Sequence, residues 1–314
     1  MSKFLGIDIG GTNVSFAVVD ENAEFSVEGS FLTSDFDSAE ALADKIYAEV
    51  KGELKSGLEG IGIGAPSVNN STQQIEYAPN LNWGDIIPIQ DIFAEKFELP
   101  VVVTNDANAA ALGEKYFGGA KELDNFAVLT LGTGIGLGLF INGEVVYGSN
   151  GLAGEIGHTV AQIDGRECGC GKFGCLETYI AKDGIIRTAK ERLEFSSGGS
   201  LLQKLSPSDI TPEEIFKAAR KEDPVSLEVV DDVTKFLAVA ISDLIHILDV
   251  PSIFLSGGIA KNGNILKRKT DKYLKSFVLP NMRDKVELKI SELNEMNGAV
   301  LGAAGLARKQ FATV

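Results

Sequence analysis

The sequence predicts an α/β fold with a duplicated core and a small metal-binding segment. Two strand–turn–strand units, KFLGIDIGGTNVSFAVVD and FAVLTLGTGIGLGLFI, lie about half a chain apart, and each has glycines between two apolar strands. This repetition indicates a duplicated architecture. All three cysteines lie between Cys168 and Cys175, an arrangement that suits a metal ion better than a disulfide framework.

The composition is that of a folded, water-soluble chain. The 314 residues include 44% from the set AVILMFWYC and 23% charged residues, which excludes the disordered and collagen-like classes. Because this length exceeds the usual size of one domain, we expect two lobes that each bury a core.

The charge balance argues against several classes of partner. Lys and Arg number 29 against 44 Asp and Glu, a formal charge of −15, which repels nucleic-acid phosphates and anionic lipid. The longest apolar helical stretch, residues 233–250, contains charged side chains and is not expected to span a membrane. No basic head and apolar core precede the first strand, so no signal peptide is predicted and we expect a cytoplasmic protein.

The first part of the chain alternates predicted strands and helices. Alternation along VSFAVV is typical of a strand, and the spacing of Leu42, Ile46 and Val50 is typical of a helix. The predicted strands cover residues 1–8, 14–18, 25–33, 60–65 and 101–105, the helices cover residues 38–54, 89–97 and 106–117, and a loop covers residues 67–82.

The second part continues with the strands FAVLTL and LGLFI around the turn GTGIG. Helices are then predicted near residues 180–193, 212–221, 226–248 and 298–308, with a strand at SIFLS. No low-complexity linker interrupts the chain, so a hinge is expected at Gly118 and Gly119. We expect a smaller lobe over residues 1–118, joined by the C-terminal helix within residues 298–314, and a larger lobe over residues 119–297.

Three glycine-rich turns at the ends of predicted strands are candidates for a nucleotide site. Glycine lets backbone amides approach an anion where a Cβ would clash, and Asp8 would face that anion through Mg²⁺. The alternative for one turn alone is a tight hairpin with a buried aspartate that accepts from turn amides. A strand, not a helix, follows the first glycines, so neither a P-loop nor a dinucleotide-binding fold fits. The candidates are Gly10, Gly11, Thr12, Asn13, Gly132, Thr133, Gly134, Gly257 and Gly258.

Asn105 and Asp106 stand at the carboxyl end of the predicted strand VVVTN, the edge where open α/β sheets bind ligands. As a general base, the Asp106 carboxylate would accept the proton of a hydroxyl that attacks phosphorus. The alternative is structural, because an aspartate before ANAAA is also a good helix N-cap.

A short segment, residues 158–175, gathers His158, Cys168, Cys170 and Cys175; we call it the metal knuckle. A Cys₃His set favours a structural zinc ion with tetrahedral coordination and no open position for a catalytic water. The alternative is a group of buried or redox thiols, which would not explain why four soft ligands cluster among glycines.

Two glutamates, Glu155 and Glu177, flank the ligands of the metal knuckle. A rigid knuckle could hold both carboxylates with His158 where they bind several hydroxyl groups, and the alternative is two solvated surface carboxylates. The second histidine, His246, lies on the apolar face of a predicted helix and is interpreted as a packed core residue.

Together, these residues resemble the ROK family, whose name abbreviates repressor, open reading frame and kinase. The resemblance spans nearly the whole chain, and the cysteine segment after Glu-x-Gly-His is highly specific. The matching motifs are DIGGT (8–12), GAP (64–66), APNL (78–81), ND (105–106), LGTGIG (131–136), GEIGH (154–158), CGCGKFGCLE (168–177) and SGG (256–258).

The resemblance implies an actin-like (ribonuclease H-like), two-lobed, ATP-dependent sugar kinase with the sugar in the cleft between the lobes. The implied reaction is phosphorylation of a hexose hydroxyl, first of all glucose to glucose 6-phosphate, with ATP, Mg²⁺ and structural Zn²⁺. The alternatives are a kinase for fructose, N-acetylglucosamine or N-acetylmannosamine, and a non-catalytic sugar-responsive regulator. By position, the resemblance implies that Asp106 is the base and that the sugar is bound by Asn105, Asp106, Glu155, His158 and Glu177. It implies that zinc is held by His158, Cys168, Cys170 and Cys175. The implied ATP-binding residues are Asp8, Gly10, Gly11, Thr12, Asn13, Gly132, Thr133, Gly134, Gly257 and Gly258.

Three positions depart from the family pattern. Asn13 stands where Lys is frequent, Ser67 where Gly usually follows the proline, and Leu137 where another Gly is common. They bear on donor preference and sugar identity rather than on the reaction class. A repressor with a DNA-binding domain before the kinase-like body is not expected, because the phosphate turn begins at Asp8 and the charge opposes DNA contact. We expect the partners to be sugar and ATP, with no nucleic acid and no membrane, and the chain to be a homo-oligomer, a dimer or tetramer.

Overall fold

The computed structural model describes residues 2–78, 80–196, 198–293 and 295–312, so Pro79 of the APNL motif lies outside the described residues. The chain forms two compact units. The first comprises Met1–Asp124, Gly138–Gly154 and Glu292–Val314, and the second comprises Asn125–Leu137 and Glu155–Ser291. The hinge at Gly118 and Gly119 stays a prediction.

Strands and helices alternate along most of the chain, in agreement with the predicted α/β class. The strands are β1 (Lys3–Ile9), β2 (Asn13–Asp20), β3 (Phe25–Leu32), β4 (Leu58–Ala65), β5 (Val68–Asn69), β6 (Gln74–Glu76), β7 (Ile86–Ile87), β8 (Val101–Asn105), β9 (Phe126–Leu131), β10 (Ile135–Ile141), β11 (Glu144–Val145), β12 (Ser252–Ser256) and β13 (Glu287–Ile290). The helices are α1 (Ala39–Val50), α2 (Ile89–Phe97), α3 (Asp106–Tyr116), α4 (Glu177–Ile180), α5 (Lys182–Glu194), α6 (Pro212–Ala219), α7 (Pro224–Leu248), α8 (Asn264–Phe277) and α9 (Glu295–Phe311).

The first unit is built on a five-stranded sheet of order β3-β2-β1-β4-β8. The pairs β1–β2 and β2–β3 are antiparallel, whereas β1–β4 and β4–β8 are parallel. One face packs on α1 and α2 through fully buried side chains that include Leu5, Ile7, Leu42, Ile46 and Phe93. The parallel strands β1, β4 and β8 therefore end at one edge, which carries the aspartate and asparagine motifs.

Helix α9 covers the opposite face of this sheet at very short range. A Cβ on Gly62 of β4 would lie 1.8 Å from the carbonyl oxygen of Ala303, and a Cβ on Gly302 would lie 1.7 Å from that of Ala109 in α3. Real side chains cannot make such contacts, so only glycine allows α9 to pack this closely against the sheet and α3.

The second unit contains the strand order β10-β9-β12-β13, in which β9–β12 and β12–β13 are parallel. This order repeats β2-β1-β4-β8 of the first unit, with the glycine turn between β9 and β10 at the position of the turn between β1 and β2. Residues 138–141 of β10 are assigned to the first unit, and Phe140 and Ile141 pair with Val145 and Glu144 of β11.

Several elements differ from the sequence prediction. Helix α1 stops at Val50, with a separate 3₁₀ turn over Glu53–Lys55, instead of continuing to residue 54. The predicted helix over residues 180–193 is α5 and begins at Lys182; Ala181, extended at φ −79° and ψ 169°, separates it from the short helix α4, which was not predicted. The loop predicted over residues 67–82 contains β5 and β6, which form a small sheet with β7.

Helix α8 and strand β13 of the second unit were not predicted either. Helix α8, NILKRKTDKYLKSF, buries Leu266 and Thr270, and its apolar residues Leu266, Tyr273, Leu274 and Phe277 recur at helical spacing among charged ones. Strand β13 is only four residues long and half charged. Among the described helices, none combines the length and apolar character needed to cross a membrane.

Candidate active site

In the first unit, Asn105 and Asp106 lie at the junction of β8 and α3. The Asn105 side chain accepts a hydrogen bond from the backbone N–H of Ala107 at 2.9 Å, and an Asp106 carboxylate oxygen accepts from the same N–H at 2.8 Å. Asn105 is extended and is the N-cap, whereas Asp106 is the first helical residue. The structural alternative, in which Asp106 is the cap, is therefore wrong.

The surroundings of Asp106 favour a carboxyl group that holds a proton more tightly than usual. Burial raises the pKa of Asp106 above its ordinary value of 3.8, and the backbone N–H of Ala107 opposes that change by stabilising the carboxylate. Because a base works best with a pKa closer to the operating pH, this direction of change suits proton acceptance.

Asp8 lies at the same edge of the sheet as Asn105. Asp8 of β1 is in register with Gly64 of β4, and Ala65 of β4 is in register with Asn105 of β8. Asn105 thus lies two strands away from Asp8, a backbone separation of about 10 Å, and one register position beyond it. A Cβ on Gly64 would lie 3.7 Å from a carboxylate oxygen of Asp8.

The first glycine turn is held from both sides while its tip stays exposed. The Gly10 N–H donates to the Asn13 carbonyl at 2.8 Å, and the Thr33 hydroxyl donates to the Gly10 carbonyl at 2.7 Å. Residues 11–13 are exposed. A Cβ on Gly11 would lie 2.7 Å from Cβ of Asn80, so the APNL motif packs under the turn. The sequence did not predict this role of Asn80.

The second and third glycine turns adjoin each other in the second unit. The Gly132 N–H donates to the Gly134 carbonyl at 3.1 Å, which closes the turn between β9 and β10. Gly257, with φ +91°, would place a Cβ 2.5 Å from the Leu131 carbonyl oxygen, and the Ile259 N–H donates to that oxygen at 3.0 Å. The fold therefore brings together two glycine segments that the sequence separates by more than a hundred residues.

The four predicted ligands of the metal knuckle converge. One ligand atom from each of His158, Cys168, Cys170 and Cys175 lies within 4.8 Å of all the others. The Cys168 Sγ–His158 Nδ1 and Cys170 Sγ–Cys175 Sγ distances are both 3.7 Å. A tetrahedral zinc ion with Zn–S bonds of about 2.3 Å requires edges of about 3.8 Å, so the donor set fits zinc.

A partly buried arginine, Arg166, ties the metal knuckle to the helices that follow it. Its guanidinium lies 4.8 Å from the centre of the Tyr179 ring, and its backbone N–H donates to the Tyr179 hydroxyl at 2.8 Å. The guanidinium also donates to the Thr178 and Gly184 carbonyls, the Thr188 hydroxyl and the Glu191 carboxylate. Arg166 was not among the predicted site residues, because an isolated arginine belongs to no motif.

The two flanking glutamates have different surroundings. Glu155 is exposed and precedes the 3₁₀ turn Ile156–His158. Glu177 begins α4, and its carboxylate accepts from the Ile135 backbone N–H at 3.0 Å. Glu177 therefore contacts the second glycine turn, a contact that the sequence did not predict.

His246 is not a core residue. It is exposed near the end of α7, and its Nε2 accepts from the Leu279 N–H at 3.2 Å. The prediction of a packed core histidine is wrong because His246 follows the buried Ile245 by one residue, about 100° around the helix, and therefore lies on the exposed side of α7.

The remaining predicted residues separate by unit. In the first unit, Asp8, residues 10–13, Asn105 and Asp106 occupy the carboxyl edge of one sheet. In the second unit, residues 132–134, Gly257, Gly258, Glu177 and the metal knuckle lie around the end of β9.

Comparisons with known proteins agree on one family. A model of the ROK family matches residues 4–310. A glucokinase of Halalkalibacterium halodurans is 36% identical over 316 residues, covering 98% of this chain and 95% of that protein. A glucokinase of Thermotoga maritima is 33% identical over 314 residues, covering 98% of both.

A solved structure supports the same relationship. The crystal structure of a ROK family glucokinase from Streptomyces griseus in complex with glucose and AMPPNP superposes with a TM-score of 0.84. The identity is 33%, and the match covers 98% of this chain and 100% of that chain.

Proposed function

Because the chain belongs to the ROK family, we propose that Asp106 is the general base of its reaction and that its glycine turns bind ATP. The protein is an ATP-dependent sugar kinase that phosphorylates glucose, as its likeness to glucokinases over nearly its whole length supports. The product is glucose 6-phosphate, and the proton of the attacking hydroxyl passes to the Asp106 carboxylate.

The observation that carries this assignment is the position of Asp106 at the carboxyl edge of a parallel sheet, on the first turn of α3, with a raised pKa. The carboxylate is fixed by the Ala107 N–H rather than by a cation that would lower its basicity. Phosphoryl transfer needs mainly positioning and electrostatic stabilisation, so one well-placed base is enough acid–base machinery.

The glycine turns supply the cradle for the triphosphate. Residues 10–13 and residues 132–134, with Gly257 and Gly258, present backbone where side chains would obstruct an anion. Gly132 has open space where its Cβ would be. Asp8 would hold Mg²⁺, which supplies positive charge to the phosphates during transfer.

The sugar ligands are Asn105, Asp106, Glu155, His158 and Glu177. His158 faces Cys168 through Nδ1, so zinc at that nitrogen would leave Nε2 for a sugar hydroxyl. Zinc held by His158 and the three cysteines supplies no reaction step; it fixes the shape of the metal knuckle.

The overall architecture that we propose is the actin-like, two-lobed arrangement with the sugar between the lobes. The repeated strand order of the two units supports it. Assembly into a dimer or tetramer is part of the same proposal.

The decisive experiment is ADP release from ATP with a panel of sugars: glucose, mannose, fructose, N-acetylglucosamine and N-acetylmannosamine. We expect glucose to give the highest kcat/KM. ADP release with none of these sugars, together with measurable glucose binding, would instead support the non-catalytic regulator.

A further inference from the structure

The glycine turn of the second unit, residues 132–136, is contacted by the segments that carry His158 and Glu177. The Glu177 carboxylate accepts from the Ile135 N–H at 3.0 Å. A Cβ on Gly134 would lie 2.7 Å from the same carboxylate oxygen. A glycine at position 134 is thus the condition for this hydrogen bond.

Two further contacts reach the turn from the neighbouring segments. The Lys182 N–H, at the start of α5, donates to the Gly132 carbonyl at 3.0 Å. Gly157, one residue before His158, would place a Cβ 2.6 Å from the Ile135 carbonyl oxygen. Backbone on both sides of the metal knuckle therefore packs directly against both ends of the turn.

We propose that the metal knuckle and the α4–α5 junction position the nucleotide turn as well as the sugar ligands, with Glu177 and the Lys182 N–H as positioning groups for ATP. This rests on the proposed function, in which residues 132–134 bind the triphosphate. Because Glu177 follows Cys175 by two residues, a change in the metal site moves the support of the turn. Sugar affinity and nucleotide affinity are then coupled through one structural unit.

The expected loss of nucleotide affinity is estimated from the loss of a single hydrogen bond. A neutral hydrogen bond contributes modestly to stability and one to a charged group contributes more, so losing one contact should weaken nucleotide binding about 2- to 10-fold. Losing the Glu177 contact should have the larger effect.

Lys182 allows a sharp test because only its backbone is used. It is the first residue of α5, where proline is tolerated, and Ala181 before it is already extended. Lys182→Pro removes the N–H donor, whereas the matched control Lys182→Ala keeps it and removes only an exposed side chain. We expect Lys182→Pro to raise the Kd for Mg·ADP about 2- to 10-fold by titration calorimetry, and Lys182→Ala to leave it unchanged.

Glucose binding and zinc content separate this effect from general damage. In Lys182→Pro, the Kd for glucose and the zinc stoichiometry should match wild type, because neither site uses that N–H. An unchanged Kd for Mg·ADP in a folded Lys182→Pro protein would overturn the role of Lys182.

Glu177 provides a second, independent measurement in the absence of sugar. Glu177→Ala should weaken Mg·ADP binding, whereas Glu177→Gln, which keeps an acceptor oxygen, should recover part of it. Zinc removal by a chelator should also raise the Kd for Mg·ADP. If Glu177→Ala and zinc removal alter glucose binding but not Mg·ADP binding, the coupling is contradicted and the kinase assignment stands. If the wild-type protein binds no Mg·ADP, the proposed function itself is contradicted.

Discussion

Among single residues, Asp106 has an environment that trades folding stability against reactivity. Burial raises its pKa, so the folded protein disfavours the carboxylate that the reaction requires. Functional groups in such surroundings are expected to be replaceable without loss of stability.

Replacing Asp106 by asparagine should therefore remove activity and spare the fold. Asparagine keeps an oxygen for the Ala107 N–H but cannot take a proton, so kcat should fall about 10²- to 10⁴-fold. The Tm at pH 7 should be equal to wild type or higher. The control is Asp91→Asn, which changes an exposed carboxylate in the first turn of α2 and should leave kcat unchanged. Near-normal turnover of Asp106→Asn would show that Asp106 is not the base.

The same raised pKa predicts the pH dependence of activity and stability. The base must be ionised, so kcat/KM should fall as pH decreases through a pKa that lies above 3.8. The free energy of unfolding depends on pH in the opposite direction. Because the pKa of Asp106 is higher in the folded protein than its ordinary 3.8, its contribution to stability is fully present below pH 3.8 and is lost as the pH rises through the pKa of the folded state. Urea unfolding of wild type and Asp106→Asn should therefore converge at acidic pH and diverge above it. An acid limb that persists in Asp106→Asn would assign it to another group.

The sequence identified the site residues by type but not their contacts. Asn105, Asp106 and the cysteines stand in short motifs whose local geometry follows from a few neighbours. Two of these contacts depend on how distant segments pack. Glu177 contacts Ile135, and His246 lies on the exposed side of α7, where it accepts from the Leu279 N–H.

At the scale of elements, the metal knuckle is a segment with little regular structure that depends on cross-links. We predict one zinc ion per chain, held by His158, Cys168, Cys170 and Cys175. Cys170→Ser should lower the zinc content and weaken glucose binding by an order of magnitude or more, since charge-assisted hydrogen bonds of about 1.5 to 3 kcal/mol are disturbed. Elemental analysis of protein purified without chelator decides the first point; reduced cysteines without stoichiometric metal would contradict it.

Arg166 supplies the second cross-link, and its removal should lower the stability of the helices that follow the metal knuckle as well. Arg166→Met leaves the Thr178 and Gly184 carbonyls without their donor, which should reduce the free energy of unfolding by about 1 to 3 kcal/mol. Arg187→Met is the matched control, because Arg187 also pairs with Glu191 but its side chain is 55% exposed against 12% for Arg166. Urea denaturation compares them, and equal losses would show that only the ion pair with Glu191 matters.

Elements with strong local signals were predicted accurately. The bounds of α2, β8 and β12 agree with the sequence prediction: β8 and β12 are short, mainly apolar runs, and α2 has buried residues at the four-residue spacing of Ile89, Phe93 and Phe97. Helix α8 was not predicted although Leu266, Tyr273, Leu274 and Phe277 recur at helical spacing, so its signal was present in the sequence. The break at Ala181 was missed because it depends on packing around Gly184, where a Cβ would lie 2.5 Å from the Thr178 carbonyl oxygen.

At the scale of the whole molecule, the excess of acidic residues is the dominant property. A formal charge of −15 opposes association with polyanions. We expect no sequence-selective DNA binding in gel shifts with genomic fragments, even at low salt, where electrostatic attraction is strongest. Tight, sequence-selective DNA shifts that persist at physiological salt would instead support the hypothesis of a DNA-binding repressor.

The close packing of α9 against β4 and α3 also has a consequence for biosynthesis. Helix α9 follows all the strands of the first unit in the sequence, so the glycine-lined face of that sheet stays uncovered until α9 has been synthesised. The second unit is complete by Ser291 and can fold before the first unit is finished. Nascent chains should therefore expose this face of the sheet until α9 is available, which favours binding by chaperones that act on the emerging polypeptide.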